Sequence, residues 1–405
     1  MKRYGIPILL SATLAVGAFT GCANVSSASA SDMMSSASST APSSMAAGPM
    51  SSMGAMGGME MTRSSYAAEP ASGSIVDTSD LFTDRDLKQT ADTANATEVT
   101  VKSGEDVTIS EEGVYVISGT ATDCTITVDA DSTAKVQLVL DGVSITNADA
   151  PAIYVLSADK VFVTTASGST NELTTTGEFA AIGDATNIDG VIFAKDDLVL
   201  NGQGTLTINS SASGIVGKDD VKVTGGTYNT TAAEHGIQGK DSVAIADGTF
   251  GITAGTDAIH AKNDEDLTLG YVYIAGGTFN LNGGSDGIEG YAVVQIDGGD
   301  ITIDSEEGIE GTYIQINGGN VSVNMASGDT DAFDSNGSLF ITGGTVNINA
   351  QSAFDYVANA SMTGGTVTVN GEQVSDITAS MMGGGMGGPQ GGMSGGGMGS
   401  RGGMR

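Results

Sequence analysis

Glycine-marked turns recur along this chain at near-constant spacing, and that recurrence leaves few folds open. Gly204, Gly226, Gly248, Gly277, Gly299, Gly319, Gly344 and Gly365 are separated by 22, 22, 29, 22, 20, 25 and 21 residues. Each precedes a short alternating segment: TLTI, TYNT, TFGI, TFNL, DITI, NVSV, TVNI and TVTV. A second column holds Ile192, Ile215, Ile237, Ile259, Ile288, Ile309, Phe333 and Phe354, and a third strand opens each repeat, as in DDVKVTGG and VVQIDGG. Three short strands and a glycine corner per repeat predict an all-β fold, a right-handed parallel β-helix. Inward Ile, Val and Phe then stack on their equivalents about 4.8 Å away along the axis. Leucine-rich repeats share the period but need fixed leucines and usually some helix. A β-sandwich lacks so strict a repeat.

The composition agrees. Sixty glycines, no tryptophan and frequent Val, Ile, Thr and Asn are strand and turn chemistry. A net charge of -33 argues against a nucleic-acid partner, whose phosphates demand Lys and Arg. It suits a solvated extracellular surface or one that collects cations.

Lys2 and Arg3 precede the apolar run IPILLSATLAVGAF, which ends in Thr20-Gly21-Cys22. The run is short for a membrane span and reads as an export signal. Cys22 after Gly resembles a bacterial lipobox, with Phe19 where Leu is usual, so lipidation at Cys22 is expected, with ordinary cleavage near the Ser/Ala stretch as the alternative. The expected organisation is a lipoprotein-type signal over 1–22 and a flexible Ser/Ala/Met/Gly linker over 23–72. A cap over 73–135 would close the open end of the solenoid, the β-helix would occupy 136–376, and a disordered Gly/Met-rich tail would fill 377–405. Methionine clusters can ligate soft metals, but such tails are more often plain chain ends. Cys124 would be a lone thiol, leaving no disulfide framework. The expected protein is a monomer on the bacterial cell surface that meets the membrane only through its lipid.

The repeats also predict side-chain neighbours. The residue after each core Ile or Phe reads Phe193, Val216, Gln238, His260, Glu289, Glu310, Asp334, Asp355. The residue two before it reads Ser213, His235, Asp257, Asp286, Glu307, Asp331, Ser352. Strand alternation turns the first column outward, and the flanking glycines should bring the second to the same corner. Both turn acidic in the same coils. Carboxylates about 5 Å apart repel by roughly 0.8 kcal/mol in water and about 3 kcal/mol at an effective dielectric near 20. Like charges across adjacent strands are destabilising, and Ca²⁺, which takes 6–8 oxygen ligands, would remove the penalty. The alternative is a solvated charge run with raised pKa values. Missing thiols, and histidines set among oxygen ligands, argue against zinc or iron. His235 and His260 read as polar members of the columns rather than catalysts.

The long interval from Gly248 to Gly277 contains Asn263, Asp264, Glu265 and Asp266, an excursion dense in oxygen ligands but without EF-hand spacing. Beside it runs a lysine column, Lys195, Lys218, Lys240 and Lys262, each followed by Asp or Asn. These read as surface ion pairs of little individual worth, or as partners for a sugar carboxylate at Lys218, Lys240 and Lys262. A general base at Lys240 or Lys262 would need a lowered pKa that neighbouring acids oppose. Tyr271, Tyr291 and Tyr313 could stack on sugars, although strand tyrosines more often pack.

The phrases DLFTDRDLKQT, EEGVYVISGT, VQLVLDGVSITNADAPAIYVLSADKVFVTTASGSTNEL, FAKDDLVLNGQGTLTIN, GIVGKDDVKVTGGT, GIQGKDSVAIADGTF and AKNDEDLTLGYVYIAGGTF resemble the bacterial carbohydrate-binding β-helix family. The resemblance covers roughly residues 80 to 370 and extends to the Gly/Met tail. It implies an exported, calcium-binding protein related in fold to pectate lyases, of a type that binds cellulose and polygalacturonate without evident lyase activity. The family's D-G-I corners and N-D-E-D loop map onto Asp257, Asn263, Asp264, Asp266, Asp286 and Glu289. Ala258 and Ala332 stand where that pattern has Gly, and Glu307 where it has Asp. Glu307, Glu310, Asp331 and Asp334 extend the expected metal ligands along the columns. The expected function is calcium-dependent, non-catalytic binding of a polysaccharide, an acidic or cellulose-like plant-wall glycan. A calcium-dependent lyase and a structural adhesin are the alternatives.

Overall fold

The computed structural model describes residues 75–378, except 184, 186 and 326–329. The described chain is all β, a parallel solenoid of about 11 turns consistent with a right-handed β-helix. Cys22, the linker and the Gly/Met tail lie outside the described residues.

Each full coil contributes one strand to each of three faces. The first face follows the glycine turn and stacks Thr205–Ser210, Thr227–Ala232 and Thr249–Ala254 in parallel register. The second stacks Ile192, Ile215, Ile237, Ile259, Ile288, Ile309, Phe333 and Phe354 in the order expected from the repeats. The third stacks Val221, Val243, Val272 and Val294. Inward residues of all three faces merge into one core in which Ile215, Ile237, Ile259, Ile288 and Ile309 are fully buried. Each such side chain contributes about 1.5–3 kcal/mol through burial, so a continuous core can hold the fold without disulfides. Cys124 is a buried free thiol. Phe250 lies between Tyr228 and Phe279, with ring centroids 5.4 and 4.6 Å away.

At the corner leading into the first face the backbone turns through positive φ at Gly226, Gly248, Gly277, Gly299, Gly319, Gly344 and Gly365. This region favours glycine, and the corners stack so closely that a Cβ on Gly319 would lie 2.7 Å from the Gly299 carbonyl oxygen. In the NGQG coil the left-handed residue is Gly202 rather than Gly204.

The region assigned to an N-terminal cap behaves differently. Parallel pairing already begins at Thr97, which sits opposite Tyr115, so residues 97–135 are coils and the solenoid starts well before 136. Residues 75–96 do not close an end. They run along the third face as a strap. The fully buried Gln295 accepts hydrogen bonds from the Ile75 and Val76 amides at 2.8 and 2.9 Å. Farther along, Asp86 is buried beside Lys160 at 3.6 Å, and the Gly202 amide donates to Gln89 at 2.9 Å. Amides satisfied by side chains replace strand pairing here, and the segment therefore shows no repeat. At the other end, Asn370 and Gly371 take positive φ and turn the chain into an antiparallel strand against Thr366–Val369. Asn-Gly is the usual sequence of such a hairpin. It blunts the edge, and Ile377 covers the end of the core.

Candidate functional site

Register creates the site. Glu289 sits opposite Glu310, Glu310 opposite Asp334, and Asp334 opposite Asp355, while Asp286 sits opposite Glu307. Both acidic columns expected from the sequence are thus real ladders meeting at one corner of the second face. Ligand oxygens of Asp286, Glu307 and Glu310 fall within 4.8 Å of one another. Asp286 is buried, and its Oδ1 accepts no hydrogen bond among the described residues. Its other oxygen accepts from the Ser285 hydroxyl at 3.0 Å. Burial, followed by repulsion from Asp257, Glu310, Glu307 and Glu289, pushes the Asp286 carboxyl up to about 9. Glu307 is raised by burial and by Asp334 and Asp331. Asp331 is also raised by burial, although the Ser352 hydroxyl bonded to it works in the opposite direction.

One coil earlier the same corner is compensated by histidine. His235 Nδ1 and His260 Nδ1 lie 3.0 and 2.9 Å from Asp257 Oδ2, and Glu289 Oε2 lies 2.8 Å from His260 Nδ1. The two imidazoles stack with centroids 4.3 Å apart. Burial would raise Asp257, but the two histidines outweigh it and hold the carboxyl well below the usual range. Burial likewise opposes charge on His260, yet Asp257 and Glu289 push it up to about 9. In the three coils just before Gln238 the outward side of this face is apolar. Tyr154, Phe193 and Val216 are buried there with Ile188.

The excursion residues do not join the ladder. Asn263 Oδ1 accepts from the Glu265 and Asp266 amides, both at 2.8 Å, and its Nδ2 donates to Asp241. Asp266 accepts from Thr268, and Asp264 lies 3.5 Å from Lys262. The oxygens of Asn263 and Asp266 build the turn itself, while exposed Asp264 pairs with Lys262. This separates Asn263, Asp264 and Asp266 from the expected metal set, because short polar side chains bond their own backbone first.

The lysine column is engaged as well. Lys218 lies 3.6 Å from Asp189 and over the Phe193 ring, and Lys240 lies 2.5 Å from Glu265. Lys262 sits 4.8 Å above the Tyr291 ring. Tyr271 and Tyr313 pack beside Ile75 and Phe82 under the strap.

A feature the sequence reading passed over lies on the first face. Its outward residues form columns of Thr and Asn, such as Thr207, Asn229, Gly251, Asn280 and Thr302 in consecutive coils. Gly251 interrupts this column and leaves a shallow hollow of about 440 Å³ lined by Asn229, Asn280, Asn282 and Asp304. The alternation in TYNTTA and TFNLNG carried the signal.

A parallel β-solenoid with a carboxylate ladder at one corner and a hydroxyl and amide face beside it belongs to the class of repeat proteins that present extended polar surfaces. Residues 103–371 match the model of the carbohydrate-binding domain-containing protein family, and the chain belongs to that family. A carbohydrate-binding domain-containing protein of Acetivibrio thermocellus is 39% identical over 127 residues. That match spans 31% of this chain and 44% of the relative's length. A solved structure described as a polysaccharide lyase-like protein from C. thermocellum, gadolinium derivative, is 31% identical with a TM-score of 0.48. It covers 57% of this chain and 98% of that one.

Proposed function

We propose that this protein is an exported, Cys22-lipidated, non-catalytic polysaccharide-binding protein of the cell surface that uses calcium to hold acidic glycans. The observation carrying this reading is the buried, unpartnered Asp286 Oδ1 beside Glu307 and Glu310. An all-oxygen set with an orphaned carboxylate oxygen fits a hard cation. Asp286, Glu307 and Glu310 would hold Ca²⁺, with Asp331 and Asp334 continuing the ladder. Bound there, calcium supplies positive charge that a uronate carboxylate can meet. Along the ladder the chain's own carboxylates repel bare acidic sugars, so binding without the cation is disfavoured. Lys240 argues against a lyase, because its hydrogen bond to Glu265 raises its pKa, whereas a general base needs it lowered.

The first face favours a second ligand for the same protein. Its Thr and Asn ladder offers neutral donors and acceptors at each coil, suited to the hydroxyls of a cellulose-like chain. A glycan array with and without EDTA tests both readings. Acidic glycans should be retained only with calcium and lost in Asp286→Asn, while neutral glycans should ignore EDTA and be lost in Asn280→Lys. Retention of polygalacturonate in EDTA would refute the calcium reading. Accumulation of unsaturated, ultraviolet-absorbing uronate ends would refute the non-catalytic one. Absence of any glycan signal would favour an adhesin.

A further inference from the structure

We infer that His235, Asp257 and His260, with Glu289 as a fourth donor, form a site for a divalent transition cation of the zinc class. This site is separate from the all-oxygen set of Asp286, Glu307 and Glu310. The calcium proposal and this one stand independently, since neither set needs the other to be filled.

The sequence placed the two histidines among oxygen ligands, which argued against such a metal. Register reverses that argument. Gln238, His260 and Glu289 occupy consecutive coils of one column, and His235 and Asp257 belong to the other. Ligand atoms of His235, Asp257 and His260 come within 4.8 Å of one another. Two imidazole nitrogens and carboxylate oxygens are the donors zinc prefers, at about 2.0–2.2 Å. Around a tetrahedral ion such bonds set neighbouring donors about 3.3 Å apart. Asp257 lies 3.0 and 2.9 Å from the two imidazole nitrogens and Glu289 lies 2.8 Å from that of His260, while the ion would displace the Thr256 hydroxyl that meets His235 Nδ1 at 3.0 Å.

A second observation points the same way. His260 is 6% exposed, and two carboxylate oxygens approach its Nδ1 within 2.9 Å, yet neither is aligned to make a hydrogen bond with it. Two carboxylate oxygens converging on one buried ring nitrogen are placed as donors around a shared ion would be. The free oxygen of Asp257 is already fixed, because Oδ1 accepts from the Asp286 amide at 3.1 Å. That is the outer support a metal carboxylate requires. Charge balances too: two neutral imidazoles with two carboxylates carry two negative charges, which one divalent cation neutralises. Borderline imidazole donors select zinc, cobalt or nickel over calcium.

The test uses the full mature chain, stripped with chelator and titrated with Co²⁺. Wild type should develop visible ligand-field bands that saturate at one equivalent and vanish when Zn²⁺ is added. The bands should persist in Glu310→Gln and be absent from the His235→Ala/His260→Ala pair, with circular dichroism checking the fold. If that pair fails to fold, His235→Gln at the rim should weaken zinc binding by at least about tenfold. Absence of bands in wild type would overturn the inference. So would bands of equal strength in the double histidine variant, or unchanged zinc affinity in His235→Gln.

Discussion

At Asp286 an ordinary carboxylate becomes the most pH-sensitive group of the ladder. Its carboxyl is raised from 3.8 to about 9, so the folded state holds the proton more firmly than the unfolded chain. The resulting stability is complete below about pH 4 and is lost as pH rises through about 9. His260, raised from 6.5 to about 9, adds stability below its unfolded value that is lost over the upper part of the same range. Without metal, the melting temperature should therefore fall continuously from pH 6.5 to 9. Saturating calcium should flatten the part due to Asp286, because the cation takes the proton's place. Asp286→Asn keeps the shape and removes the charge. The stripped variant should be more stable than wild type at pH 8 and should gain little from calcium. Melting curves across pH, with and without calcium, check all of this. A calcium response undiminished in Asp286→Asn would disprove the assignment. The ladder itself was legible in the sequence, since a strict repeat converts chain position into neighbourhood. The fate of each carboxylate was not. Whether Asp257 faces histidine or Asp266 closes its own turn depends on side-chain partners that spacing does not encode.

Among the elements, the strap over residues 75–96 and the terminal hairpin do what no coil does. Gln295→Ala would remove an oxygen that accepts from both the Ile75 and Val76 amides, leaving Ile75 with Gln315 alone at 3.1 Å, at about 0.5–1.5 kcal/mol for each hydrogen bond lost. The strap should then exchange its amide hydrogens faster and be cut earlier by protease, while the central strands keep their protection. Uniform loss of protection along the solenoid would show that the strap is integral to the core. At the hairpin, Gly371 has φ of 86°, and Gly371→Val should cost about 1–2 kcal/mol in backbone strain. Because the turn blunts the last edge, that variant should also associate at high concentration, as light scattering would reveal. The Asn-Gly turn is visible in any chain, but the strap follows no period, because its amides bond to Gln295 and its Gln89 side chain reaches Gly202. A segment held by side chains leaves no rhythm to read, and its sequence does not distinguish a strap from an end cap.

For the molecule as a whole, a charge of -33 makes salt and calcium distinct experiments. Monovalent salt screens all the carboxylates together, with a Debye length near 10 Å at 0.1 M. It should raise the melting temperature gradually and without saturation at low millimolar concentration. Calcium held at the corner acts by mass action instead, adding about 2.7 kcal/mol at 100 times its dissociation constant. The two responses should separate on one plot of melting temperature against ionic strength. CaCl₂ should produce an early step and NaCl a shallow slope. Glu307→Gln/Glu310→Gln should keep the slope and lose the step, because two charges are a small part of the total but most of the oxygen set. If CaCl₂ and NaCl at equal ionic strength gave coincident curves, the corner would be an ordinary charged surface. The ladder's register would then need a different explanation, one based on solvation rather than cation binding.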